Sequence, residues 1–303
     1  MSRPPDPAAH AKMLGDRARK NERRLRRRLG DTEAYRVYDW DIPEVRAAVD
    51  RFGPDLVLHG YDRRQTDELP DYWPSLAAGV QGALGAREVF IKRRRTGSGV
   101  RYERLSREGV RRPVQEDGLS FELNLSDYID VGLFLDHRPL RRWFRAHAQG
   151  RRVLNLFAYT GSFSVAAAAG GAARVTTVDL SGLYLDWARR NLEANELPEG
   201  ELVEADARTW LDHQARGPWD LIFIDPPSRS ASWGGDSLEL LDDHPQLLTS
   251  AAQHLAPGGT ILFSTNHQAF EFRGGKGWEE ITDWTVPPDF RQRPHRAFRW
   301  VAL

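Results

Sequence analysis

Between residues 35 and 125 the apolar positions come in short runs: YRVY, AAVDRF, DLVLHGY, REVFIKR, VRYERL and FELNL. Turn signals such as TGSG and EDG separate them, the texture of β-strands joined by tight turns, and residues 69–84 can supply a helix among them. Upstream, residues 13–29 have few apolar positions and read as a highly basic helix. After Arg152 the pattern changes. VLNLF (153–157), VTTVD (175–179), ELVEAD (201–206), DLIFID (220–225) and TILFSTN (260–266) read as strands. AYTGSFSVAAAAGGA, SGLYLDWARRNLEANE and ARTWLDHQA read as the helices between the first four. Strands alternating with helices imply parallel βαβ units and a doubly wound α/β sheet. The tail, DWTVPPDF and then FRWVAL, is expected to complete that sheet with an antiparallel hairpin. The predicted organisation is a basic N-terminal helix (1–30), a small α+β domain (31–125) and a doubly wound domain (126–303).

Composition adds exclusions. The 303 residues are 40% hydrophobic, enough for a core in each of two domains. No run approaches the length of an apolar membrane span, and the chain opens on prolines and basic residues, so a soluble cytoplasmic protein is expected. There is no cysteine, which closes disulfides, thiolate metal sites and thiol nucleophiles; the nine histidines show no metal-ligand spacing, and no metal is assigned. Net charge is zero but uneven. Residues 1–30 and residues 86–112 each carry ten Lys/Arg against three Asp/Glu, above a more acidic remainder. Two basic segments, mostly arginine, predict a polyanion partner.

The stretch DLIFIDPPSR (220–229) raises the chemical question. A carboxylate at the end of a buried strand, followed by prolines that cannot continue it, belongs on the ligand-binding rim of an open α/β sheet. YTGSFS opens the first helix of this half; Gly161 lets the backbone approach a ligand where helix amides are free. The turn lacks the GxGxxG spacing of a dinucleotide site. Asp179 ends the second strand, where a carboxylate can accept from both ribose hydroxyls or cap the next helix. Asp206 ends the third, where it can accept from an adenine amine or, again, cap a helix. The glycine turn, Asp179, Asp206 and Asp225 together would line one crevice. That set favours an adenosine-bearing ligand without phosphates, S-adenosylmethionine.

At these residues the sequence resembles the class I methyltransferases, specifically the RlmK type of 23S ribosomal RNA guanine-N7 methyltransferase, related to the RlmI-type enzymes. The likeness rests on RLRRRL, YRVYDWDIPE, SDYIDVGLFLDHR (126–138), NLFAYTGS (155–162), TTVDLSGLYLDWARRNL (176–192), LIFIDPPS (221–228) and FSTN (263–266). It implies a Rossmann-like domain with a mostly parallel seven-stranded sheet. GLFLDHR covers the cofactor in related enzymes, which implies Phe134, Asp136 and Arg138 on the cofactor side. The matching motifs extend that set to Asn155, Phe157, Tyr159, Thr160, Gly161, Asp179, Leu180, Asp206, Ala207 and Asp225. The best-known members are fused to an RNA-binding THUMP domain and a second methyltransferase, neither recognisable here. Arg229 stands where relatives carry an aromatic, so base stacking would pass to Arg229, Trp233 or Phe270.

Chemistry narrows the target. Carbon-5 of a pyrimidine becomes nucleophilic by the known covalent route only after a thiol adds, and this chain has none. Nitrogen-7 of guanine has a free lone pair and no proton to remove. Its alkylation places positive charge on the base, which a positioned carboxylate would stabilise. Asp225 is the candidate, with Pro226 and Pro227 holding the backbone and Ser228 adding a hydrogen bond. Arg229, Asn266 and Phe270 are expected on the substrate side, with Arg93, Arg94 and Arg95, in the RRRTGSGVRYERLSREGVRR hairpin, on RNA backbone. The expected function is methylation of guanine nitrogen-7 in 23S ribosomal RNA. The alternatives are methylation of an exocyclic amine, whose usual signature is Asn-Pro-Pro-aromatic, and a non-catalytic ribosome assembly factor.

Overall fold

Asp6 opens the first helix: its carboxylate accepts from the amides of Ala8 and Ala9, and Pro7 takes the first helical position. In this computed structural model, residues 5–61, 64–67, 69–94, 106–227, 229–230, 238–267 and 269–302 are described. The chain divides into two units, residues 1–135 with 288–292 and residues 136–287 with 293–303.

In the first unit, helix α1 (Pro7–Leu25) precedes strands β1 (Ala34–Asp39), β2 (Ala47–Phe52) and β3 (Asp55–Tyr61), the short α2 (Arg64–Asp67), helix α3 (Tyr72–Leu84) and strand β4 (Val89–Arg94). Among the described residues the sheet order is β1-β2-β3-β4, antiparallel except for the last pair. α1 is not a free basic rod. Leu14 and Ala18 join Tyr35, Val37, Leu58, Leu76 and Val80 in one core. Gly15 and Gly79 bring α1 against α3 so closely that a Cβ on Gly15 would stand 2.8 Å from the Gly79 carbonyl oxygen. The small residues on one face of this helix are what the low count of apolar positions concealed.

β5 (Arg111–Glu116) and β6 (Leu119–Asn124) form a separate hairpin across Asp117 and Gly118, both in left-handed conformations. Most of the expected hairpin over residues 93–112 lies outside the described residues; of its ends, Arg94 closes β4 beside β3 and Arg111 opens β5. The run VRYERL lies outside the described residues.

A 3-10 turn, Leu135–His137, spans the boundary at which the second unit begins and runs into α4 (Arg138–His147). β7 (Arg152–Leu156), α5 (Ser162–Ala169), β8 (Arg174–Asp179), α6 (Gly182–Glu193), β9 (Glu201–Glu204), α7 (Ala207–His213) and β10 (Trp219–Ile224) follow. After the two-residue pair β11 (Arg229–Ser230) and β12 (Leu238–Glu239) come α8 (Leu240–Gln253), β13 (Leu255–Thr265), β14 (Glu279–Glu280), α9 (Thr282–Thr285) and β15 (Arg296–Val301). Among the described residues the main sheet runs β14-β15-β13-β10-β7-β8-β9, parallel from β13 to β9 with β15 antiparallel. β10 is buried on both faces: Leu221 and Phe223 pack with Leu140, Phe144 and Phe163, while Ile222 and Ile224 pack with Trp210, Leu247 and Phe263. That explains its unbroken apolar run. The tail differs from expectation. Residues 282–285 form α9, residues 288–292 belong to the first unit, and β14 is the edge strand.

Residues 288–292 are held by buried polar groups. Asp289 accepts from the Arg36 amide, and Asp39 accepts from the amides of Arg291 and Gln292. The Arg36 guanidinium grips Asp50 through two hydrogen bonds and lies 4.3 Å from the Phe290 ring centre.

Candidate active site

In the second unit the sheet reverses its winding between β7 and β10, the point at which open α/β sheets form a crevice at their carboxyl ends. Three of the expected groups meet there: the turn after β7, Asp179 after β8 and Asp225 after β10. The turn is strained, with Phe157, Tyr159 and Gly161 all at positive φ. Asp179 braces it, one carboxylate oxygen accepting from the Tyr159 amide at 2.8 Å and the other from the Ser181 amide at 2.9 Å. Burial pushes the Asp179 carboxyl up to about 6, against the opposing pull of the Ser181, Tyr159 and Leu180 amides.

Gly161 also has a packing role. A Cβ there would lie 2.5 Å from the Ala188 Cβ, and φ is 72°. The glycine permits close packing of α6 on the turn. Thr160 is buried and its carbonyl accepts from Asn191, while Tyr159 packs edge-on against Tyr184 at 4.7 Å between ring centres. Leu180 is half-buried beside Asp179.

Other expected cofactor residues make contacts within the chain. Asn155 is buried and donates to Ser164, which in turn bonds Thr177, so its side chain fastens α5 to the sheet. Asp206 caps α7 by accepting from the Arg208 and Thr209 amides, and it pairs with the Arg208 guanidinium. Burial works against its ionised form, but those donors outweigh it and its pKa falls. Ala207 is buried at the start of α7. Phe134 belongs to the first unit; Arg138, at the start of α4, is fully buried. Asp136 holds His295 Nδ1 at 3.0 Å.

Asp225 is half-buried just beyond β10, with Pro226 buried and Pro227 half-buried behind it. Burial raises its pKa; the charges of His137 and His295 and a hydrogen bond from Ser264 oppose the rise, while Asp136 adds to it. His137 Nδ1 lies 3.7 Å from Asp225 Oδ2, and His137 Nε2 shares a 2.9 Å hydrogen bond with Ser264 Oγ. The His295 ring packs on His137 at 4.6 Å, and its Nε2 meets Thr285 Oγ1 at 3.0 Å. Asp136, His137 and His295 offer ligand atoms within 4.8 Å of one another, a spacing that could hold a metal. Three of the four ring nitrogens are nevertheless taken by hydrogen bonds to Ser264, Asp136 and Thr285, and the fourth faces Asp225. His137, Ser264 and His295 were missed from sequence. His137 sits within GLFLDHR, whereas nothing in RPHR marks His295 as its neighbour.

On the expected substrate side, Phe270 is corrected: it is buried among Phe263, Phe298 and His244 and cannot stack on a base. Asn266 is exposed just past β13. Arg93 and Arg94 end β4 in the first unit, with Arg94 paired to Asp130 at 2.9 Å. The backbone of Arg229 forms β11 with Glu239. Ser228, Arg95, Trp233 and the Arg229 side chain lie outside the described residues.

Comparison with known proteins adds three findings. A family model described as S-adenosylmethionine-dependent methyltransferase matches residues 63–274. Proteins named ribosomal RNA large subunit methyltransferase K/L are similar over 95% of this chain: one from Pseudomonas putida (strain W619) at 42% identity over 305 residues, and one from Alteromonas mediterranea at 38% over 309. The chain spans less than half the length of these relatives, 42% and 43%. Among solved structures, SMU.776 complexed with SAH superposes with a TM-score of 0.80 at 23% identity, covering 98% of this chain and 82% of that one. The SAM-dependent methyltransferase from Agrobacterium tumefaciens gives 0.64 at 21%, covering 91% of each. At those identities the structures establish the fold. With the family model matching most of the chain and the strand order placing its crevice where the fold requires, the chain belongs to the S-adenosylmethionine-dependent methyltransferase family.

Proposed function

We propose that this chain methylates nitrogen-7 of a guanine in 23S ribosomal RNA. The observation that carries the reading is Asp225, a carboxylate with a raised pKa at the carboxyl end of β10 in a chain without cysteine. S-adenosylmethionine, the methyl donor of the family, supplies an electrophilic methyl group when bound. The residues present fit it. Asp179 offers a carboxylate beside a left-handed turn, each oxygen retaining acceptor capacity for a ribose hydroxyl. Asp225, steadied by Ser264, faces the base and stabilises positive charge that builds on the purine ring. Pro226 and Pro227 fix its backbone. Support for ribosomal RNA as substrate comes from the names of the K/L relatives.

RNA backbone is held in part by α1. Its buried face is spent on the core, which leaves Lys20, Arg23, Arg24, Arg27 and Arg28 exposed on and just beyond the helix, with no acidic partner among the described residues. Such a row suits phosphates.

A second reading draws on His137. An imidazole 3.7 Å from Asp225 could take up a proton, which an exocyclic amine must lose and nitrogen-7 need not. The deciding experiment is methylation of 23S ribosomal RNA with labelled S-adenosylmethionine, digestion to nucleosides and mass identification of the product. 7-Methylguanosine is expected; label in an exocyclic-amine product would establish the second reading instead, and no label would remove both.

A further inference from the structure

At the end of the first unit's sheet, β1, β3 and β4 finish side by side, and β2 begins. Trp40 follows β1 in a left-handed conformation, φ 55°, uncommon for so bulky a residue, and its amide donates to the Ala47 carbonyl at 3.1 Å. The residue is 36% exposed. Tyr61, the last residue of β3, lies 4.6 Å from it between ring centres, tilted by 52°. The register pairs Tyr61 with Arg94 on β4, so their side chains rise from the same face of the sheet. The Tyr61 amide donates to the Arg46 carbonyl, and the Arg46 guanidinium stands 5.9 Å over the Trp40 ring. Arg46 is exposed and has no acidic partner among the described residues; Arg94 is held in place by Asp130.

Trp40 is one of several partly exposed large apolar residues, and exposure alone does not set it apart. It is kept in a strained conformation beside a second aromatic and two arginines. Flat aromatic faces flanked by guanidinium groups are how proteins hold unpaired bases, since every base has a π-face and every linkage a phosphate. We propose that Trp40, Tyr61, Arg46 and Arg94 form a platform for single-stranded RNA, one base stacking on Trp40 and the arginines meeting the flanking phosphates. The proposal rests on the reading of this protein as an RNA methyltransferase and names the form of RNA it holds. It agrees with the chemistry of the target, because nitrogen-7 within a duplex faces a groove too deep and narrow for side chains.

The test is fluorescence anisotropy with the full chain, no cofactor, and a short labelled single-stranded oligoribonucleotide, compared with the same strand annealed to its complement. Trp40→Asn keeps a residue that tolerates the left-handed backbone; Trp40→Phe keeps a stacking face, and Tyr61→Ala is the independent variant. Trp40→Asn is expected to weaken single-strand binding about five- to a hundredfold, with the salt dependence of log Kd unchanged, the duplex little affected and Trp40→Phe largely restored. Arg46→Gln should instead lower the salt slope by about 0.7. Wild-type affinity in both Trp40→Asn and Tyr61→Ala, equal losses for single strand and duplex, or a wild-type protein indifferent to the single strand would overturn the platform. Product analysis of the methylated RNA is separate. Trp40-dependent binding without guanine methylation leaves the platform standing and removes the substrate reading.

Discussion

His137 touches Asp225 with one nitrogen and Ser264 with the other: 3.7 Å from Nδ1 to the carboxylate, 2.9 Å from Nε2 to the hydroxyl. Ser264 in turn favours the ionised form of Asp225, so the hydroxyl, the imidazole and the carboxylate act on one another at the carboxyl end of β10. Asp136, His295 and Thr285 then fix the His137 ring from its other side.

Asp225→Asn keeps the shape and removes the charge. Single-turnover methylation should slow by ~10²–10³ or less, the range for one preorganised electrostatic group, while calorimetry finds cofactor affinity nearly unchanged. Burial lifts the Asp225 pKa, so the acid limb of the wild-type rate profile should lie above the ordinary carboxylate range. That limb should be absent from Asp225→Asn. An unaltered rate would remove Asp225 from the mechanism.

His137 couples this site to stability. Its pKa is lowered by burial, only partly offset by the charges of Asp136 and Asp225. The folded state therefore resists a proton that the unfolded chain accepts near 6.5, and stability is lost as pH falls below that value. In His137→Gln that loss should shrink. Thermal midpoints of the two proteins, measured across this window, should converge toward acid relative to their separation at neutral pH.

Asp179→Ala should weaken S-adenosylmethionine binding by roughly ten- to a hundredfold, the equivalent of ~1.5–3 kcal/mol for a charged acceptor on hydroxyls. Because the Asp179 carboxyl titrates near 6 in the folded protein, wild-type affinity should fall as pH drops through that value. The alanine variant should lack this step. By the same linkage Asp179 favours the folded state most below its unfolded value of 3.8, a contribution lost as pH rises through about 6. Calorimetry that finds wild-type affinity in a folded Asp179→Ala would displace the ribose assignment.

Gly161→Ala combines a left-handed backbone with a Cβ 2.5 Å from that of Ala188. The backbone part alone costs about 1–2 kcal/mol. Adding Ala188→Gly should relieve the steric part and leave the conformational one, so the double variant should unfold between the single variant and wild type. A double variant no more stable than Gly161→Ala would deny the steric clash.

α1 separates two kinds of effect. Replacing Arg23, Arg24, Arg27 and Arg28 with Gln should weaken RNA binding and lower its salt slope by about 0.7–0.9 for each phosphate no longer neutralised, at unchanged thermal midpoint. Leu14→Ala should cost about 2–5 kcal/mol because Leu14 is core. Deleting residues 1–30 would remove that core and so cannot isolate the electrostatic role.

The strands and helices of the second unit were legible because each buried strand is an unbroken apolar run and each helix between them opens on a turn signal. Asp225 could be placed for the same reason: once β10 is a buried strand, the residue after Ile224 has to stand on the rim. Absence of cysteine, with the exclusion it carries, needed no structure at all. What the sequence could not decide depends on partners far away in the chain. Asp179 and Asp206 look alike as strand-ending carboxylates, and only the folded chain shows one bracing the turn after β7 and the other capping its own helix beside Arg208. Phe270 read as available until Phe263 and the more distant His244 and Phe298 enclosed it. His137 and His295, separated by more than half the chain, meet because the 3-10 turn before α4 and the start of β15 converge. A local pattern records whether a residue faces inward. What it meets there is settled by strand order and by the packing of side chains, and those exist only once the sheet has formed.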